Sequence, residues 1–354
     1  MLLSVRNNTF EKTFRQKVKD YFAYNQLTLK GGHAVTCKIL VIFSGLFLAY
    51  GGMLYWGNNN PMLLMGFLPV LLFFQLAAAL GVMHDASHNA LTNNRRLNQF
   101  ISYLVMATGG MSAGVWKQKH VFAHHSHPNT SNKDTDIEGQ PLFRFSPFQK
   151  RYWFHSKQHY YALFFYTLLT IKWMLFDDVR DVIMNVYQLN LKKRLLCSID
   201  IILTRIIYFT LSLLVPFIVF HSFWLTLGIW LFYNMSFSLC LTLVFQCSHV
   251  NTKTCFYPDK AEAPNNFAIR QLETTVDYGI NNPFLTWIVG GLNFQVIHHL
   301  FPTVNHRHFP AIQRLLVKCL EQHPEIAYHH FPSFRAAIKD HLRFLKQVAR
   351  PQPI

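Results

Sequence analysis

"PMLLMGFLPVLLFFQLAAALGVMHDASH" occupies residues 61–88. Residues 61–82 carry no charged side chain, and a helix needs about 20 apolar residues to cross a bilayer. The run then ends in His84, Asp85 and His88. On a helix, residues four apart share a face, so both imidazoles can reach one cation. The stretch therefore reads as a membrane-crossing helix with metal-binding side chains at one end.

Three more apolar runs are long enough to span, at 37–56, 201–221 and 224–246. The chain of 354 residues is 51% hydrophobic and only 14% charged, against about 25% charged in an ordinary soluble domain. The connectors "GNNNP" (57–61) and "HSF" (221–223) carry no charge, so the four runs read as two tight helical hairpins. Charge is concentrated elsewhere. Residues 1–36 hold six Lys/Arg against two acids, residues 83–200 fourteen against eight, and residues 248–354 eleven against seven. Such a distribution follows the positive-inside rule and accounts for the net charge of +16 without nucleic-acid binding.

The expected fold is an all-α integral membrane protein, one domain over 1–354. It comprises a cytoplasmic N-terminal segment (1–36), a first hairpin (37–82), a cytoplasmic region (83–200), a second hairpin (201–246) and a cytoplasmic C-terminal region (247–354). Two further apolar stretches need another reading. "QHYYALFFYTLLTIKWMLF" (158–176) contains Lys172 and reads as an interfacial helix, because a fifth crossing would separate the histidine clusters. The stretch 97–115 is broken by "TGGMSAG". Residues 333–350 form a basic amphipathic pattern that either lies on the membrane or caps the cytoplasmic region. The six cysteines lack paired spacing, which argues against disulfides and thiolate metal sites. The polar, basic start reveals no cleavable signal peptide.

Nineteen histidines are many for this length. "HVFAHH" supplies His120, His124 and His125, with His120 and His124 on one helical face and His125 turned about 100° from His124. "QVIHHLFP" (295–302) supplies His298 and His299, and His249 follows the last span. Singly, His33, His155, His159, His221, His323, His329, His330 and His341 read as ordinary polar residues at a membrane edge. Eight clustered histidines exceed the capacity of one ion but suit two. Imidazole alone does not choose among Zn, Cu, Fe and Ni, and no HExxH zinc-hydrolase motif occurs.

At these residues the chain resembles the membrane fatty acid desaturases. That family carries an HxxxH or HxxxxH box after one membrane hairpin, an HxxHH or HxxxHH box soon after, and a third box beyond the second hairpin. Here these are His84–His88, His120–His125 and Gln295–His299. The QxxHH form followed by "HHLFP" is similar to the front-end branch, which desaturates between an existing double bond and the carboxyl end. The flanking "WKQKH" and "HPNTSNKDTDI" match as well, and the likeness covers roughly 35–345.

The resemblance implies a di-iron centre (Fe2+/Fe3+) on His84, His88, His120, His124, His125, His298 and His299, with His249 as the extra histidine after the last span. It also implies O2 as co-substrate and insertion of a cis double bond into a long acyl chain. Gln295, Asp134 and Asp136 are expected to orient ligands or act as weak ones. Lys117, Lys119 and Arg307 are candidates for an acyl-CoA or acyl-lipid head group, and Trp116, Phe122, Trp287 and Phe294 for tunnel walls. Each of these has a plainer role as a solvated charge or as packing. No HPGG motif of a fused cytochrome b5 domain occurs, so a separate donor is expected, either a ferredoxin or cytochrome b5 with its reductase. A bacterial inner membrane is favoured over the endoplasmic reticulum. The rival readings are a related histidine-box hydroxylase or alkane monooxygenase, and a metal transporter. Transporters place ionisable groups inside their spans, whereas these histidines lie at or beyond the ends.

Overall fold

The computed structural model describes residues 2–57, 60–258 and 263–350. Among them four helices are long and apolar enough to cross a membrane: Gly32–Gly57, Pro61–Ser87, Leu191–Phe220 and Phe223–His249. Their number agrees with the sequence reading. Asn58 and Asn59 of the expected first connector lie outside the described residues. Secondary structure is otherwise helical, apart from a two-residue parallel pairing of Asp277–Tyr278 with His330–Phe331 and an isolated bridge between Thr130 and Tyr257.

The chain divides into two compact units. One comprises residues 33–121 and 163–243 and holds most of the four apolar helices. Asn60 starts the second by accepting hydrogen bonds from the Met62 and Leu63 amides, with Pro61 in the first turn, where no amide proton is needed. That helix widens into a π-helix at Ala78–Met83, immediately before His84. Side chains such as Phe47, Leu48, Ile202 and Ile206 point outward and exposed, an apolar surface that a soluble fold avoids.

Within the same unit, the "TGGMSAG" stretch ends the helix Arg95–Gly109. Gly110 takes φ +71°, and a Cβ there would meet the Met174 sulfur at 2.6 Å and the Tyr208 ring at 2.8 Å. The loop is then pinned by buried carboxylates. The Ser112 amide donates to Asp178 at 2.8 Å; the Ser112 hydroxyl and the Gly114 amide donate to Asp200 at 2.5 and 3.0 Å. Asp178 also pairs with Arg205 at 2.8 Å. Burial nevertheless pushes the Asp178 carboxyl up to about 6, against the pull of Arg205.

The stretch expected as one interfacial helix at 158–176 is instead broken. Helix Gln158–Tyr166 stops, Leu169–Lys172 resumes, and a π-turn follows at Trp173–Asp177. The interruption is stabilised by Ser238, whose hydroxyl donates to the Tyr166 carbonyl at 2.6 Å and accepts from the Thr170 amide at 3.0 Å.

The other unit comprises residues 1–32, 122–162 and 244–354. Phe10, Phe14, Val18 and Phe22 recur every four residues along helix Leu2–Tyr24 and bury against Phe294, Ile297, Phe309 and Ile312. Each such burial contributes about 1.5–3 kcal/mol. Helix Phe334–Val348 is capped by the Ser333 hydroxyl and buries Asp340 and His341. Asp340 accepts from the Thr252 amide at 2.9 Å, and His341 Nδ1 donates to the Val250 carbonyl at 2.6 Å. These contacts agree with the capping alternative for residues 333–350. They also correct the reading of His341 as a membrane-edge residue, because its ring is fully buried. His155 is corrected likewise. It is buried, donates from Nε2 to the Pro141 carbonyl at 2.8 Å and accepts from the Tyr152 amide at 3.2 Å.

Candidate metal centre

Each unit carries one buried histidine cluster. In the unit of apolar helices, the ring nitrogens of His84, His88 and His120 lie within 4.8 Å of one another. His84 and His120 bring their Nε2 atoms to 3.1 Å. Neighbouring ligands on one small cation stand about this far apart, since each nitrogen lies ~2.1 Å from the metal. Trp116 stacks on the His120 ring, with centroids 4.5 Å apart, and meets His84 edge-on at 5.9 Å. It thus packs against two of the clustered histidines.

His120 and His124 both belong to a π-helix, Lys117–His124. The sequence expectation gave those two one face and turned His125 away. In the second unit His124 and His125 both adjoin His299, with ring centroids 5.0 and 4.3 Å from it. His124 nevertheless groups with His249 and His299 while His125 groups with His298 and His299, as the turn of about 100° between them implied.

The second cluster comprises His124, His125, His249, His298 and His299. Ring nitrogens of His124, His249 and His299 lie within 4.8 Å of one another, as do those of His125, His298 and His299. Three of these rings have a fixed proton. His249 Nδ1 lies 3.2 Å from the Thr274 carbonyl, which can only accept. His124 Nδ1 lies 3.0 Å from Asp134 Oδ1, and His299 Nδ1 lies 2.8 Å from Gln271 Oε1. With Nδ1 donating in all three, Nε2 keeps its lone pair. Ring nitrogens of all three gather in a buried space, a donor set that suits a metal cation, with outer partners that fix each tautomer.

The box helix Gln295–Leu300 is itself anchored. The Val296 amide and the Tyr328 hydroxyl donate to Asp277 at 2.8 and 2.6 Å. Burial pushes the Asp277 carboxyl up to about 7, against these two donors. Before the helix, Gly291 takes φ +75°, where a Cβ would meet the His306 Cβ at 2.7 Å. Gln295 sets its amide 3.0 Å from His249 Nε2, beside the atom that a metal would use.

A family model described as fatty acid desaturase matches residues 58–332. The chain belongs to the fatty acid desaturase family. The sn-1 linoleoyl-lipid 6-desaturase of Synechocystis sp. is 29% identical over 351 residues, covering 96% of each chain. The acyl-lipid (8-3)-desaturase B of Dictyostelium discoideum is 29% identical over 365 residues, covering 97% of this chain and 76% of the relative. A sn-1 linoleoyl-lipid 6-desaturase of Arthrospira platensis is 28% identical over 344 residues, with 96% and 92% covered. This desaturase is accordingly an oxidoreductase of lipid metabolism, and its apolar helices agree with a membrane protein.

The remaining expected residues of the desaturase are scattered. Lys119 sets its ammonium 5.2 Å over the Trp173 ring, Lys117 is half-buried, and the Arg307 guanidinium donates to the Gly31 carbonyl. Phe294 lies in the core of its unit, Trp287 is half-buried and Phe122 is exposed. Asp134 both holds His124 and caps the turn at Asp136, whose own carboxylate stands 3.6 Å from His124 Nδ1. Four positioning residues escaped the sequence reading: Gln271, Thr274, Asp277 and Asn129. Asn129 is buried with φ +52° and donates from Nδ2 to the His249 carbonyl at 2.9 Å and the Cys255 carbonyl at 3.1 Å. Nothing in "RQLETTVD" or in a lone asparagine marks these roles, although "HPNTSNKDTDI" did mark the neighbourhood.

Proposed function

We propose that this chain introduces a cis double bond into a long, already unsaturated acyl group, on the carboxyl side of an existing double bond, using O2 and two electrons. The observation that carries the proposal is the committed Nδ1 protons of His124, His249 and His299 on three rings whose nitrogens gather within 4.8 Å of one another. Two iron ions are assigned, one to His84, His88 and His120, the other to the cluster of His124, His125, His249, His298 and His299. Bound iron supplies the O2-dependent oxidation of unactivated methylenes that imidazole and carboxylate cannot perform alone. The chain's own share is to hold the rings, keep Nδ1 protonated at the three named positions, and exclude water from a buried site. Gln295 is assigned to a neighbour of the bound ion rather than to a strong ligand, since an amide oxygen is a weak neutral donor.

The front-end assignment rests on the QxxHH box and on relatives named as 6- and (8-3)-desaturases. A separate ferredoxin or cytochrome b5 supplies electrons, steered by the basic segments. We also assign the four spans to two hairpins with both termini and the histidine ends on the cytoplasmic side, in a bacterial inner membrane.

The test is expression in a host with a compatible electron donor and C18 acids that already hold double bonds, beside a His298→Ala strain. A new double bond on the carboxyl side of an existing one, missing in the variant, is the expected result by mass spectrometry. Hydroxylated products would instead support the oxygenase reading. Purified protein with no bound iron would overturn the metal assignment.

A further inference from the structure

We propose that the outward face of helix Phe334–Val348 is the docking surface for a small acidic protein that delivers one electron at a time. The inference rests on the desaturase reading above and adds where its electron donor binds. Arg335, Lys339, Arg343 and Lys346 recur along this helix and are all exposed. At 100° per residue they fall within about 80° of arc. The buried Ala337, His341 and Leu345 occupy the opposite side. The single acid of the helix, Asp340, is buried and accepts from the Thr252 amide at 2.9 Å. Arg343 stands 3.5 Å from it, yet the Arg343 side chain is 67% exposed. A second segment of the same unit extends the strip. The Arg151 guanidinium donates to the Ala349 carbonyl at 2.7 Å, and Lys157 faces His159 together with Lys346.

Two features select the occupant. The first is that the strip is purely polar. A helix that lies in a bilayer surface turns an apolar face towards the lipid. Here the apolar side faces the core, and among the described residues of this helix no large hydrophobic side chain is exposed. Like charges without an apolar anchor suit an acidic protein that docks fast and leaves fast. The second feature is what lies beneath. On the inner side His341 Nδ1 donates to the Val250 carbonyl at 2.6 Å, and Val250 directly follows His249. The strip therefore stands about one helix diameter, roughly 10–12 Å, from the peptide that carries a clustered histidine. Each docking oxidises the donor's reduced iron by one electron and passes that electron inward. Two dockings supply both electrons of a turnover, and no bond or proton moves at the surface.

The test uses the full-length protein in phosphatidylcholine nanodiscs with an acidic two-iron, two-sulfur ferredoxin and, in parallel, the acidic haem domain of cytochrome b5. Acetylation of Lys339 and Lys346, read by mass spectrometry, should slow at saturating donor. It should stay unchanged when phosphatidylglycerol replaces phosphatidylcholine. The combined Lys339→Glu, Arg343→Glu and Lys346→Glu variant should associate with the donor about 10–100-fold more slowly at low salt. At about 1 M salt, where the screening length is about 3 Å, that difference should vanish. Lys12, Arg314 and Lys318 are exposed on other helices of the same unit. Reversing those three to Glu changes the net charge equally and should slow association by no more than about threefold. An unchanged denaturant midpoint reports that each variant has folded. Binding of neither donor, equal losses in the two triple variants, or protection of the lysines by phosphatidylglycerol alone would overturn the inference. A donor that docks on the strip but is never oxidised in the presence of O2 and acyl lipid would instead overturn the desaturase reading and leave the docking surface standing.

Discussion

Replacing Gln271 by leucine removes the Oε1 acceptor of His299 Nδ1 at 2.8 Å and the Nε2 donor to the His125 carbonyl at 3.3 Å. The residue is fully buried, so no water takes over. An orphaned buried N–H costs about 1–3 kcal/mol. The proton can also move to Nε2, which then stops being a ligand. Loss of a partner that orients a metal-binding histidine lowers metal affinity by about 10–100-fold, and 1–3 kcal/mol corresponds to roughly 5–150-fold, so the two routes agree. The assay is competition for Fe2+ between purified protein and a chelator of known affinity. Gln271→Glu keeps an acceptor at the same reach and should hold iron near or above the wild-type level. If Gln271→Leu retains wild-type affinity, or if the two variants lose iron equally, Gln271 does not set the His299 proton.

Three further outcomes are expected. Burial holds the His341 imidazole down at about 4, while the unfolded chain protonates near 6.5. Its contribution is thus full above pH ~6.5 and is lost as pH falls towards 4, about 3 kcal/mol in all; thermal unfolding of His341→Asn should have a flatter pH profile across that window. Asn129→Ala leaves buried carbonyls of residues 249 and 255 short of a donor and puts alanine at φ +52°. A loss of about 2–4 kcal/mol is expected, read by denaturant unfolding, with Asn129→Gly recovering only the backbone part. Arg205→Met strands Asp178, which is 0% exposed, and should cost about 3–5 kcal/mol. Adding Asp178→Asn should restore folded yield, and an absence of rescue would refute the pairing argument.

The four spans and the eight clustered histidines were legible because both follow from residue type and spacing: apolar length suits a crossing, and recurring imidazoles suit a cation. What was hidden has a common physical origin. The π-turns at Ala78–Met83 and Lys117–His124 insert an extra residue per turn without any change in composition. Where the helices widen therefore had to be seen. The partners Gln271 and Thr274 act through an amide and a backbone carbonyl, groups that nearly every sequence offers somewhere. His155 and His341 were misread for the opposite reason. A histidine that closes a core hydrogen bond looks the same in one dimension as one at a membrane surface. The break within 158–176 depends on Ser238, some seventy residues away in the chain, beyond the reach of any local pattern.

The eight-residue helix Phe267–Thr274 contains none of the clustered histidines. It nevertheless places the acceptors for His249 and His299. Grafting the three histidine boxes onto a foreign set of spans would therefore transfer imidazoles with unassigned protons. The heritable unit of this centre is longer than its motifs, and a chimera should carry residues 267–274 together with the box at 295–299.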